Sequence, residues 1–121
     1  MKVKIDTKEK FHVFTPGDAV LSANMTEEFR EKLLAYLETD IKNIILNLKL
    51  VNKLEAAVTK EIIDIQEHFK NKNASFVICE MQAHVGDIFK QQQLLEQLNV
   101  TRTESEARDI VQMEEIEREL E

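Results

Sequence analysis

The spacing of hydrophobic positions changes several times along the chain, and each change predicts an element. Met1 to Asp6 alternates apolar Val3 and Ile5 with Lys2 and Lys4. That pattern predicts a half-buried strand at a sheet edge, where lysines discourage pairing with another chain. Phe11-His12-Val13-Phe14 predicts a second strand, and the polar turn Thr7-Lys8-Glu9-Lys10 joins the two as a hairpin. Asn43-Ile44-Ile45-Leu46-Asn47-Leu48 is a short, β-branched, apolar run, which predicts a buried strand. From Glu55 the period becomes helical. Val58, Ile62, Ile65 and Phe69 fall at i, i+4, i+7 and i+11 and form one stripe. Phe76-Val77-Ile78-Cys79 is apolar on both faces, so it is expected inside the sheet.

Three further helices are predicted around this strand–loop–helix–strand unit. The first starts near Asn24 or Thr26 and runs to about Glu38, burying Phe29, Leu33, Tyr36 and Leu37, with Leu34 at the margin. Another carries Val85, Ile88, Phe89 and Leu95. Gln91-Gln92-Gln93 is its solvated face or a break before Leu94. The last opens on a capping box, Thr103 with Glu106, and spans about 104–120. Asn71-Lys72-Asn73 ends the central helix, with asparagine able to take a left-handed conformation. Thr15-Pro16-Gly17-Asp18 is a break or turn, and Ala19 to Ala23 continues as extended chain. The order predicts an α/β fold: a mixed sheet of four to five strands with about four helices, largely on one face.

Length and charge narrow the function. The 121 residues predict one domain over 1–121, large enough for a core. A net charge of −7 argues against nucleic acid, which would need a basic face. Eight acidic residues lie between Glu104 and Glu121. No apolar run approaches the roughly 20 residues that a membrane helix needs, and no signal-peptide segment opens the sequence. The single Cys79 has no internal disulfide partner. Together these features read as a cytoplasmic protein.

Candidate chemistry is sparse. No Ser/His/Asp order, Gly-rich phosphate loop or metal-ligand spacing occurs, so no enzyme, cofactor or metal site is expected. His12, His68 and His84 are scattered, and His12 and His68 read as surface or rim residues. The loop and first turn of the central helix hold no serine, glycine or histidine. Glu55-Ala56-Ala57 has a plain structural account as a good helix start, with an acid near the positive end of the helix dipole.

In order and in register, several short segments resemble the STAS domain, the fold of bacterial anti-sigma factor antagonists. The resemblance covers roughly Met1 to Val111. N-I-I-L-N-L-K-L-V-N-K-L stands where the family has a strand with a hydrophobic-Asp/Asn-Leu ending and a short loop. E-A-A-V-T-K stands where it has D-S-S-G-L-G. V-G-D-I-F-K-Q-Q-Q-L is similar to V-x-x-x-F-x-x-x-G-L, with Gln93 in place of glycine. T-E-S-E-A matches the opening T-x-x-E-A of the last helix, and Gly17-Asp18-Ala19-Val20 looks like G-E-L-D.

The resemblance implies a non-enzymatic regulator of transcription that binds an anti-sigma factor or kinase-like partner. Its loop and second-helix start would form the contact: Asn52, Lys53, Glu55, Ala56, Ala57, Thr59 and Lys60. In the family a serine at that helix start is phosphorylated, and the dianion releases the partner. That position falls on Ala56, which has no hydroxyl, and the next serine position falls on Ala57. Thr59 is the nearest substitute acceptor. A permanent alanine implies constitutive binding without a phosphate switch. The alternative is a STAS-like adaptor subunit of a larger assembly, such as a lipid-transport ABC complex or a stress-sensing complex. Ile110, Met113, Ile116 and Leu120 are the stripe through which the last helix could pair, including in a homodimer.

Overall fold

The computed structural model describes residues 1–121. Its main sheet has four strands in the order β1-β2-β4-β6: β1 is Val3–Thr7, β2 Phe11–Pro16, β4 Asn43–Asn47 and β6 Phe76–Cys79. β1 runs antiparallel to β2, and β2, β4 and β6 are parallel. The hairpin and the two long crossovers follow from the short polar turn and the helical segments between the parallel strands. A second, two-stranded sheet pairs β3, Val20–Leu21, in parallel with β5, Lys53–Leu54. The helices are α1 Thr26–Leu34, α2 Ala56–Asn71, α3 Ala83–Gln91 and α4 Glu104–Glu119.

Period-2 alternation along the parallel strands sends side chains to two cores. Phe14, Ile44, Leu46, Phe76 and Ile78 face one side, where they meet Phe29 and Leu33 of α1, the Val58–Ile62–Ile65–Phe69 stripe of α2, and Val85 and Phe89 of α3. Phe11, Val13, Ile45, Val77 and Cys79 face the other side, against Ala107 and Val111 of α4. The α/β expectation holds, with three helices sharing a face and α4 covering the reverse. Both faces are dry, which is why these strands read as continuous apolar runs.

Several local expectations are corrected. β6 is the last strand of the sheet, not an interior one. Its outer edge is closed by irregular chain: Ile78 N donates to Asn99 O at 2.9 Å, and Thr101 N donates to Ile78 O at 2.8 Å. The first predicted helix is shorter, flanked by 3-10 turns at Ala23–Met25 and Ala35–Glu38. His12 is buried, not at the surface; its ring contacts Thr7 Oγ1 at 2.8 Å and Ile41 O at 3.0 Å and lies against Tyr36. The two paired strands β3 and β5 were not predicted, because two residues carry no periodicity.

The Thr103 and Asn73 ends follow the predicted chemistry, whereas α1 departs from it: its N-cap is Met25, not Asn24 or Thr26, and makes no side-chain cap. Thr103 caps α4, its Oγ1 accepting from Glu106 N at 3.2 Å. Asn73 ends α2 in the left-handed region, with Ala74 N donating back to Phe69 O at 2.9 Å. Gln93 does the same for α3 at φ 59°, with Leu94 N donating to Phe89 O at 2.9 Å.

Candidate functional site

The start of α2 sits beyond the C-terminal ends of the parallel strands, the edge at which α/β sheets place their sites. Loop 48–52 leads from β4 into β5, which locks onto the segment before α1. Asn52 N and Lys53 N both donate to Ala19 O, at 2.7 and 3.1 Å, and Glu55 N donates to Leu21 O at 3.0 Å. Leu48, Val51 and Leu54 are buried and fix the loop from beneath. Glu55 stands at the N-cap of α2 in an extended conformation. Its Oε1 accepts from Ala23 N at 2.6 Å, so it joins the start of α2 to the 3-10 turn before α1.

From the other side, α3 closes on the loop. Gln82 Nε2 donates to Lys49 O at 3.0 Å and to Asn52 Oδ1 at 2.9 Å. His84 Nε2 contacts Asn52 O. The loop is thus held by long-range hydrogen bonds on two sides and by buried side chains beneath.

Six of the seven residues expected to form the contact surface are brought together there. Asn52, Lys53, Ala56, Ala57 and Lys60 are exposed, and Glu55 is half-buried. Thr59 is the correction. It is fully buried, with Oγ1 2.6 Å from Ala56 O and 2.9 Å from Oε1 of Gln92, the C-cap of α3. The α2 stripe turns this position inward, so its hydroxyl links two helices and does not reach the surface.

Two residues escaped the sequence reading. Val20 is 42% exposed and Leu50 50% exposed, in the same strand pair and loop as Lys53 and Asn52. Together with Ala56 and Ala57 they supply apolar surface. Lys49, Lys53 and Lys60 supply cations, and none of the three takes part in an ion pair. Leu50 could have been flagged as a leucine outside every predicted core stripe. Val20 could not, because only the β3–β5 pairing fixes its direction.

Cys79 is buried at the end of β6, and burial, followed by the carboxylates of Glu104 and Glu80, pushes its thiol up to about 12. A thiol held so high stays protonated and is a poor nucleophile at neutral pH. No group of three or more His, Cys, Asp or Glu side chains is placed to hold a metal ion.

Comparison with known proteins agrees with this fold. The family model of the STAS domain matches residues 2–107. The chain belongs to the STAS domain family. Among solved structures, a Thermotoga maritima protein described as an anti-sigma factor antagonist aligns with a TM-score of 0.79 at 15% identity, covering 91% of this chain and 94% of that one. The anti-sigma factor antagonist SpoIIAA in its unphosphorylated form aligns with a TM-score of 0.73 at 16% identity, covering 92% and 96%. An RsbS variant from Moorella thermoacetica aligns with a TM-score of 0.76 at 16% identity, covering 93% and 96%. At these identities the likeness establishes the fold. No curated protein matches the chain. The glycine that the resemblance places before the leucine after α3 stands at Gln93, which keeps the left-handed backbone a glycine favours.

Proposed function

We propose that this STAS domain is a non-enzymatic regulatory module, acting as one domain over residues 1–121. It captures an anti-sigma factor or kinase-like partner on the surface around the start of α2. The carrying observation is the coincidence of exposed Val20, Leu50, Ala56 and Ala57 with Lys49, Lys53 and Lys60, none of them ion-paired, around a loop hydrogen-bonded from two sides. A pre-ordered loop loses little entropy on binding. The contact residues are Asn52, Lys53, Glu55, Ala56, Ala57 and Lys60, joined by Val20 and Leu50. Their cations favour an acidic partner surface.

Ala56 stands at the phosphoacceptor position of this reading. With no hydroxyl there and Thr59 turned inward, the module is held in its binding form and controlled by its amount. A cytoplasmic setting belongs to the same reading, and no helix is long and apolar enough to cross a membrane.

A second reading, an adaptor subunit docked on a larger assembly, is favoured by one observation: the exposed stripe of Met113, Ile116 and Leu120 on α4. A pull-down from native lysate, with Ala56→Asp as the comparison bait, separates the two. The regulator reading expects a histidine-kinase-like ATPase that Ala56→Asp fails to retain. Recovery of an ATP-binding cassette subunit by both baits would overturn it in favour of the adaptor.

A further inference from the structure

Met113, Ile116 and Leu120 are 58%, 58% and 82% exposed. Their i, i+3, i+7 spacing puts them on one stripe of α4. The stripe points away from the sheet, because Ala107 and Val111 hold the opposite side of the helix against β4 and β6. It also lies wholly beyond residue 107, where the family match ends.

The charges around the stripe are of one sign. Glu106, Asp109, Glu117 and Glu119 are exposed as the stripe is. Both arginines of α4 are half-buried and engaged elsewhere. Arg108 Nη2 donates to Glu104 Oε2 at 2.6 Å. Arg118 Nη2 lies 2.7 Å from Glu115 Oε1, 3.0 Å from Ser75 Oγ and 3.1 Å from Asn43 Oδ1. The outward face therefore offers apolar side chains bordered by four carboxylates and no cation. A second copy pairing its own stripe here would bring both sets of carboxylates along one seam, where like charges repel. An anionic lipid surface is disfavoured for the same reason. An apolar stripe bordered by lysine and arginine complements the face in both respects.

We propose that the outward face of α4 is a docking surface for a basic amphipathic helix of a partner protein. It is separate from the surface at the start of α2, which lies with the helices on the other side of the sheet, so both surfaces can be occupied at once.

The test titrates the full chain with a model amphipathic peptide of about 14 residues built from leucine and lysine. The same peptide with glutamate in place of lysine is the control, and affinity is read by fluorescence anisotropy at low and high salt. The lysine peptide binds, the glutamate peptide does not, and raising the salt weakens binding. Ile116→Ser combined with Leu120→Ser lowers the affinity by more than about tenfold, while thermal melting stays unchanged because both side chains are in solvent. Binding that survives the double substitution, equal binding of the two peptides, or no binding at all overturns the proposal. So does sedimentation of the unmodified chain as a dimer that the double substitution dissociates, since a second copy would then be the occupant.

Discussion

Ala56 and Thr59 lie three residues apart on α2 and do opposite things. Ala56 is exposed and has nothing to modify; Thr59 has a hydroxyl and is sealed between α2 and α3. Phosphorylating Thr59 would break its contacts with Ala56 O and Gln92 Oε1 and put a dianion into a dry site. Incubation with a kinase-type partner and ATP therefore leaves both positions unmodified. Mass spectrometry finding phosphate on Thr59 of the folded protein would contradict this. The inward direction of Thr59 was open to inference, since position 59 adjoins Val58 and Ile62 on the core stripe, but the hydrogen bond to Gln92 was not. Sequence offers no signal for a polar pair 33 positions apart. His12 misled for a related reason. A lone histidine reads as exposed, and only the hairpin and the chain at Ile41 supply the partners that let it be buried.

At the scale of elements, α2 was the most legible part of the fold. Its stripe of Val58, Ile62, Ile65 and Phe69 is fully buried against the sheet. Ile62→Ala is expected to cost ~2–5 kcal/mol, because the cavity cannot collapse in a core closed on all sides. Denaturant melts showing a loss under about 0.5 kcal/mol would contradict that packing. β6 was legible as buried but not as terminal in the sheet, since chain 99–101 shields its edge without regular structure.

The far end of α4 rests on polar contacts. Asn43 Nδ2 donates to Glu115 Oε1 at 2.7 Å, and Arg118 reaches the same oxygen. These two bonds hold the Glu115 carboxyl below its ordinary value of 4.5. The folded state thus takes up this proton less readily than the unfolded chain. The stability Glu115 contributes is complete above the unfolded value and is lost as pH falls through the lower folded one. Chemical denaturation from pH 7 down to pH 3 is expected to show a steeper loss for the unmodified chain than for Glu115→Gln. Parallel curves would mean that the contact contributes nothing to folding.

Across the whole molecule, charge is divided. The chain carries a net −7, yet the start of α2 presents Lys49, Lys53 and Lys60, while the outward face of α4 presents an apolar stripe bordered by carboxylates and no cation. Composition alone conceals this division, because a net charge averages over faces that different partners would meet. The fold class, the Thr103 cap of α4, the Asn73 end of α2 and the main core followed from periodicity and end chemistry, which are local. The candidate site followed only in part. Its chain segment was identifiable, but its shape depends on the β3–β5 pairing, the Glu55–Ala23 bond and the reach of Gln82, all set by tertiary contacts.

The most direct test of the α2 surface is the dissociation constant of the captured partner for the unmodified chain and for Ala56→Asp, measured by calorimetry on purified proteins. An acid in the first turn of α2 is locally favourable to the helix, so the fold and melting temperature are expected to hold. A carboxylate on an apolar surface beside three lysines would disrupt a contact suited to an acidic partner. The expected result is a loss of affinity greater than tenfold, about 1.4 kcal/mol, with unchanged melting. Equal affinities for the two proteins would contradict the assignment of partner capture to this surface.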